Sequence, residues 1–478
     1  MLRTFLHFAL IVTAIVTVSA QVPTPNIEGN WLATLELSGV KLRLLLKVQK
    51  SASGYAGKLD SLDQGANDLP VDSVVLNGNK LSFGAAQFGL SYEGTVNEAG
   101  NEISGTFTQG GGAMPLVFKR VAEAPKFSRA QDPKKPYPYD EEEVSYRNTK
   151  DNIKIAGTLT IPRGVPPAGK YPVVLLITGS GSQDRNETVA GHRPFLVLAD
   201  HLTRNGIAVL RVDDRGVGGT ELGSLSATSD NYAGDVLAGV EFLKQRKEIN
   251  PALIGLIGHS EGGMIAPMVA ARSKDVAFIV LLAGLGQKGE DVIYTQTELI
   301  YEAQGTSAEI TSQTISLFRR VNAIVKAEAD EKLVEQRIND DVAAYARTVS
   351  EGQKESFTTA VAGVKAFMPM YKTAWYRYFI MYDPLPVLKN VKVPVLALNG
   401  ELDLQVAYKE NLDMIGAGLK AGGNKNVTIK AFPKLNHLFQ TSTTGLPTEY
   451  AQLDETMSPE VLKTVSDWIL QRTARKSD

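Results

Sequence analysis

Leu253-Ile254-Gly255-Leu256-Ile257-Gly258-His259-Ser260-Glu261-Gly262-Gly263-Met264-Ile265-Ala266-Pro267-Met268-Val269-Ala270 reads as three local structures in one run. Leu253 to Ile257 is a short apolar run of the kind that forms a buried strand, and Met264 to Ala270 has the composition of a helix. Between them lies G-x-S-x-G, with glycine two positions before and two positions after Ser260. A chain that passes from strand to helix within so few residues turns tightly enough to strain the serine backbone, and side chains at the two glycine positions would collide. The turn lifts a hydroxyl out of the sheet edge, which makes Ser260 the candidate nucleophile.

A serine hydroxyl needs a base, and the chain has five histidines. His7 lies in the N-terminal apolar stretch, and His259 sits inside the turn, where its side chain diverges from that of Ser260. His192 and His201 precede the serine, whereas such a turn goes with the chain order serine, acid, histidine. His437 remains, just past the last predicted strand, where an imidazole can take the Oγ proton and return it to a leaving group. The acid belongs after the penultimate strand, Val393–Asn399. Asp403, on the loop beyond the strand end, is the first candidate and Glu401 the second. An oxyanion needs two N–H donors. One is expected from Glu261, directly after the nucleophile, and the other from Ser180 or Gly181, after the strand Val173–Thr178.

Further strands are read at Val144–Asn148, Ile153–Ile161, Ile207–Val212, Ala277–Ala283 and Val427–Phe432, with helical stretches between the later ones. Strands separated by helices make a mostly parallel sheet covered on both faces. From about 286 to 385 no strand signal appears, and Leu317, Val321 and Ile324 mark an amphipathic helix, so an all-helical cap is expected there.

The N-terminal part differs in kind. Residues 27–122 hold eight short runs of β-forming residues broken by Gly and Asn, with Asn77-Gly78 and Ala99-Gly100-Asn101 as hairpin turns. Leu42, Leu44, Leu46 and Val48 alternate with polar neighbours, and Leu45 breaks the alternation. Eight strands in a meander imply a small closed barrel, and the opening Gly29-Asn30-Trp31 resembles the start of lipocalin-like barrels. Pro125, Pro133, Pro136 and Pro138 mark residues 123–142 as a linker. Residues 1–20 read as an export signal: Arg3, an uncharged apolar stretch from Phe5 to Val18, and Val18-Ser19-Ala20 at the cleavage point. That stretch is shorter than the roughly 20 residues of a spanning helix, so no stable membrane anchor is expected after cleavage. The domains expected are therefore 21–122 and 143–478, and the location is secreted or periplasmic.

A net charge of −2 argues against a nucleic-acid partner. The absence of cysteine excludes disulfides and a thiol nucleophile. Gly216-Val217-Gly218-Gly219 lacks the third spaced glycine of a dinucleotide site, and no H-E-x-x-H cluster suggests a metal. No cofactor is expected.

On these motifs residues 143–473 resemble the α/β-hydrolase superfamily. More narrowly, they are similar to bacterial exported esterases with an S-G-x-x-D-R loop (here Ser180 to Arg185), a D-D-R-G-x-G loop (Asp213 to Gly218) and a helical cap. The loop after the strand Val173–Thr178 begins Thr178-Gly179, where His-Gly is commoner. The resemblance implies a serine esterase acting on small or medium acyl groups through an acyl-enzyme, with a small-molecule ester as partner. An exported serine peptidase would use the same triad. A non-catalytic binding protein, a barrel joined to an inactive shell, would be expected to have lost a triad member, and none is missing.

Overall fold

The computed structural model describes residues 25–37, 40–51, 54–62, 66–86, 89–109, 112–123, 129–164, 166, 169–328 and 330–473. The expected export signal lies outside the described residues. The chain divides into two compact units, one ending at Pro125 and the other running from Lys126.

The first unit is a closed antiparallel barrel of eight strands, β1 (Gly29–Leu37), β2 (Val40–Ser51), β3 (Gly54–Ser61), β4 (Ala66–Asn77), β5 (Lys80–Ala85), β6 (Leu90–Val96), β7 (Glu102–Gln109) and β8 (Gly112–Val121), each paired to the next. β1 closes on β8, with Asn30 opposite Val121 and Leu32 opposite Lys119. Both expected hairpin turns are present, with Gly78 at φ +60 and Gly100 at φ +66. The alternation on β2 buries Leu44, Leu46 and Val48 in the barrel interior, while Leu45 is buried without joining that cluster. An eight-stranded barrel is just wide enough to be filled by its own side chains. Trp31, Phe83, Tyr92, Phe107 and Phe118 fill this one. Tyr92 stacks on Phe83 at 5.2 Å, meets Phe118 edge-on at 5.1 Å, and places its hydroxyl 3.0 Å from the Ile103 carbonyl. One strand runs longer than the sequence suggests. Residues 66–72, which include Pro70, belong to β4: Pro70 lies opposite Lys58 of β3, and the described pairing with β5 runs only from Ser73 to Asn77, so the proline lies outside that ladder.

The second unit is an eight-stranded sheet in the order β16-β15-β14-β13-β11-β12-β10-β9. Its strands are β9 (Tyr139–Asn148), β10 (Ile153–Pro162), β11 (Tyr171–Ile177), β12 (Ala208–Val212), β13 (Ile249–His259), β14 (Phe278–Leu282), β15 (Val395–Gly400) and β16 (Val427–Phe432). β11 to β16 are parallel, while β9 and β10 are antiparallel at one edge. Strand side chains alternate between two apolar layers. Val173, Leu175 and Leu256 meet α2 (Ser229–Lys244) and α3 (Glu261–Arg272), and Val174, Leu176 and Ile257 meet α1 (Pro194–Arg204) and α12 (Pro459–Thr473). Between β14 and β15 an all-helical cap spans α4 (Gly289–Ala303), α5 (Ala308–Ala327), α6 (Glu331–Ala346), α7 (Lys354–Lys365), α8 (Met368–Tyr371), α9 (Ala374–Met381) and α10 (Pro384–Leu388).

The expected linker needs correction. β9 begins at Tyr139, paired with Pro162, not after residue 142. The Glu141-Glu142-Glu143 run is not a solvated tail: Glu142 pairs with Arg246 at 2.6 Å and Glu143 with Arg185 at 2.5 Å. Further upstream, the Arg129 guanidinium donates to the carbonyls of Ala190, Ala451 and Leu453 at 3.0, 2.9 and 3.0 Å. Proline content hid these residues because their partners, such as Arg193 for Asp132 and the Ala190 and Ala451 carbonyls for Arg129, are remote in the chain and leave no periodic pattern.

Each unit has its own apolar core, so a chain starting at residue 126 is expected to fold alone. A single cooperative thermal transition with an intact near-UV circular dichroism spectrum is the expected result. A spectrum lacking tertiary signal would show that the second unit depends on the first.

Candidate active site

Ser260 occupies the break between β13 and α3 with φ +52 and ψ −115, a conformation that non-glycine residues rarely adopt. The flanking glycines are dictated by contact. A Cβ on Gly258 would lie 2.0 Å from the Gly262 carbonyl oxygen, and one on Gly262 would lie 2.1 Å from that of Ile177. The Ser260 N–H donates to the Leu282 carbonyl at 2.9 Å, tying the turn to β14. Glu261 opens α3, so its amide is among the N-terminal N–H groups without an intrahelical acceptor, and the helix dipole favours negative charge there.

The loops after β15 and β16 bring Asp403 and His437 together. Asp403 Oδ2 lies 2.8 Å from His437 Nδ1, and its Oδ1 accepts the Gln405 and Val406 N–H groups, both at 2.8 Å. Both residues are buried. With Nδ1–H donating to the carboxylate, Nε2 carries the free lone pair. Glu401, the second candidate acid, is exposed and contributes only its backbone N–H, to the Phe432 carbonyl. Among the described hydrogen bonds none joins Ser260 Oγ to His437, a link that in unliganded hydrolases often tightens only with substrate. Their neighbourhood is set by His259, whose ring lies 4.7 Å from that of His437 and whose Nε2 lies 3.0 Å from the His437 carbonyl oxygen.

The other histidines have structural partners. His192 places Nδ1 2.9 Å from Thr456 Oγ1 and Nε2 2.9 Å from the Tyr450 carbonyl, and burial pushes it down to about 4, so it is neutral. His201 Nε2 meets Ser466 Oγ at 3.0 Å.

The loop after β11 separates the oxyanion candidates. The Gly179 N–H is taken up by Glu187 Oε1 at 2.7 Å. Ser180 and Gly181 make no backbone N–H bond among the described residues. Ser180 lines a 370 Å³ cavity under the cap, with Ile300, Phe318, Phe367, Trp375 and Phe379. Gly181 lines a separate, smaller cavity together with Asp213, Asp214, Arg215 and Glu261. The cap cavity has no charged residue in its lining. Trp375 Nε1 donates to Glu261 Oε1 at 2.8 Å, and Ser229 Oγ donates to the same oxygen at 2.6 Å. Burial raises the Glu261 carboxyl above the usual range.

The two charged motifs interlock to hold this loop. Arg185 binds Asp213 through Nε at 3.0 Å and Nη2 at 2.6 Å. Asp214 accepts from Thr178 Oγ1 and from the Gln183 N–H, both at 2.9 Å. Arg215 turns away to Asp235 and Asp151. Burial pushes Asp214 up to about 8, against the opposing hydrogen bonds of Gln183 and Thr178. The roles of Asp214, Glu187, His259 and Trp375 are not legible in the sequence, since each acts on a partner remote in the chain. Among the described residues no group of three or more His, Cys, Asp or Glu is placed to hold a metal, and no helix is long and apolar enough to cross a membrane.

Asp214 generates a test of this brace. In the folded chain it keeps a proton up to about pH 8, whereas an unfolded aspartate loses it near ~3.9. Its contribution to stability is therefore full below about pH 4 and is lost as pH rises toward 8. Asp214→Asn mimics the protonated form, its amide donating to Thr178 while its oxygen accepts from Gln183. Its Tm relative to the parent chain is expected to climb steadily between pH 4 and 8. A pH-independent difference would contradict the assignment.

With this geometry in view, the comparisons with known proteins fall on the same region. The family model described as "Serine aminopeptidase, S33" matches residues 193–441, just over half of the chain, and that span contains Ser260, Asp403 and His437. Esterase EstD of Thermotoga maritima is 24% identical over 383 residues, covering 80% of this chain and 79% of EstD. Among solved structures, the Pyrococcus furiosus esterase Pf2001 has 17% identity and a TM-score of 0.40, over 70% of this chain and 94% of its own. Proline iminopeptidase of Mycobacterium smegmatis has 15% identity and a TM-score of 0.41, over 69% and 98%. By the extent of the family match, the chain belongs to the serine aminopeptidase S33 family of α/β-hydrolases.

Proposed function

We propose that this protein hydrolyses carboxylic esters with neutral, apolar acyl groups through an acyl-enzyme on Ser260. In this reading the Ser260 hydroxyl attacks the ester carbonyl as its proton passes to His437 Nε2. Asp403 holds the imidazole in the required tautomer and stabilises the imidazolium, while the N–H groups of Glu261 and Ser180 receive the oxyanion. His437 then gives the proton to the departing alcohol. Water, deprotonated by the same nitrogen, releases the acid and restores the serine.

The observation that carries the ester reading is the uncharged lining of the 370 Å³ cavity beside Ser180. An aminopeptidase must hold a substrate ammonium close to the scissile carbonyl, and an ammonium buried without an anionic partner is costly. The carboxyl of Glu261, next in the chain to Ser260, is engaged by Trp375 and Ser229. Ser180 rather than Gly181 is the second donor in this reading, because its side of the loop opens onto that cavity. The name of the Thermotoga relative, an esterase, points the same way. The residue 1–20 pattern supports export of the mature chain to the periplasm or beyond.

Turnover of p-nitrophenyl acetate to octanoate, compared with aminoacyl anilides, tests the reaction class. Ester cleavage is expected to dominate, and preferential anilide cleavage would overturn the ester reading in favour of a peptidase. Ser260→Ala or His437→Ala is expected to lower kcat by about 10⁴ to 10⁶, with the double variant little worse. Asp403→Asn is expected to cost about 10³ to 10⁴. If Glu401→Gln proves the more damaging carboxylate change, Asp403 is not the acid.

A further inference from the structure

We infer that Glu187 and His259 are positioning residues of the hydrolysis, an imidazolium–carboxylate pair fixing the oxyanion strand end and the base loop on either side of the nucleophile. The inference rests on Ser260 and His437 acting as proposed above.

Both ring nitrogens of His259 face acceptors. Nδ1 lies 2.9 Å from Glu187 Oε1, and Nε2 lies 3.0 Å from the His437 carbonyl oxygen. A neutral imidazole has one N–H and satisfies only one of them; the doubly protonated ring satisfies both. The groups that face it electrostatically are Glu187, the His437 backbone and, further off, Asp403. Burial alone would lower the pKa of this ring, and the charge and hydrogen bond of Glu187, with the His437 carbonyl and Asp403, together hold it above the ordinary histidine value. Glu187 Oε1 also takes the Gly179 N–H at 2.7 Å, which orients the strand end preceding Ser180. The pair is buried, with His259 6% and Glu187 2% exposed. Glu187 sits at φ +53, a left-handed conformation uncommon for a non-glycine residue. One carboxylate and one ring thus join the oxyanion loop, the residue before the nucleophile, and the backbone of the catalytic histidine.

The variant Glu187→Gln keeps an acceptor for Gly179 but removes the charge that holds His259 protonated. It is expected to lower kcat by about 10 to 100-fold through misplaced donors and base, with KM within about twofold because the acyl cavity is untouched. It is also expected to add a pH limb absent from the parent, with kcat falling as pH rises through the now lower pKa of His259. An unchanged kcat, or a loss with the parent's pH profile, would overturn the inference. ¹⁵N spectra of the unaltered, histidine-labelled chain at pH 7, with His259 assigned by its loss in His259→Asn, give a second reading that does not depend on the variant folding. Two protonated nitrogens are expected, and a neutral ring overturns the proposal. Stoichiometric labelling of the parent by a fluorophosphonate separates this from the underlying reading. An unlabelled parent removes Ser260 as the nucleophile, while a labelled parent with a neutral His259 removes only the positioning pair.

Discussion

Between β13 and α3 there is no room for side chains, and the chemistry of the second unit is organised around that exclusion. Gly258 touches Gly262, and Gly262 touches the carbonyl of Ile177 at the end of the neighbouring strand. Backbone thus packs on backbone where β11, β13 and α3 meet, and Ser260 is forced into a strained conformation with nowhere to point but the edge of the sheet. The close approach also brings Gly179 against Ser260, since a Cβ there would sit 3.3 Å from that of Ser260. The Ser260 turn, the first N–H groups of α3 and the loop after β11 therefore come together from one packing constraint. They need no separate positioning of three flexible parts.

Charge burial around this turn is handled differently at consecutive residues. Asp213 is matched by Arg185, and Arg215 by Asp235 and Asp151, so each charge has a partner and desolvation is offset by short hydrogen bonds. Asp214, between them, has no cation paired with it among the described residues. It is spared the cost of an isolated buried charge by holding its proton, and spends its two oxygens on the loop that carries Ser180. Beside Ser260 the cap makes a contact of its own, because Trp375 both lines the cap cavity and donates to Glu261. A change in the cap thus reaches the residue whose amide would meet the oxyanion.

Much of this was legible in the chain, for physical reasons particular to each element. Parallel strands buried on both faces read as continuous apolar runs, which located β11 to β15, and β9, β10 and β16 were found as shorter β-forming runs with ends displaced by a few residues. The G-x-S-x-G turn is local, its requirement for glycine written within five residues. With so few histidines, chain order singled out His437, and the loop position of Asp403 set it ahead of Glu401. The barrel was visible through period-two alternation and two hairpin turns. Residues 129–142 were read as linker on their prolines, whereas they are anchored by arginines and carbonyls remote in sequence.

The sequence by itself determined the turn, the succession of strands and helices, and the short set of candidate residues at the site, because these depend on contacts within a few residues or on the scarcity of histidine. Only the tertiary structure decided that Asp403 and not Glu401 faces His437, that Gly179's N–H is already engaged, and that the cap leaves an uncharged cavity beside Ser180. It alone also gave His259 two acceptors, one about seventy residues upstream and one far downstream. Such pairings form when separate loops meet at one sheet edge, and no local pattern of residues records which side chains will find each other there.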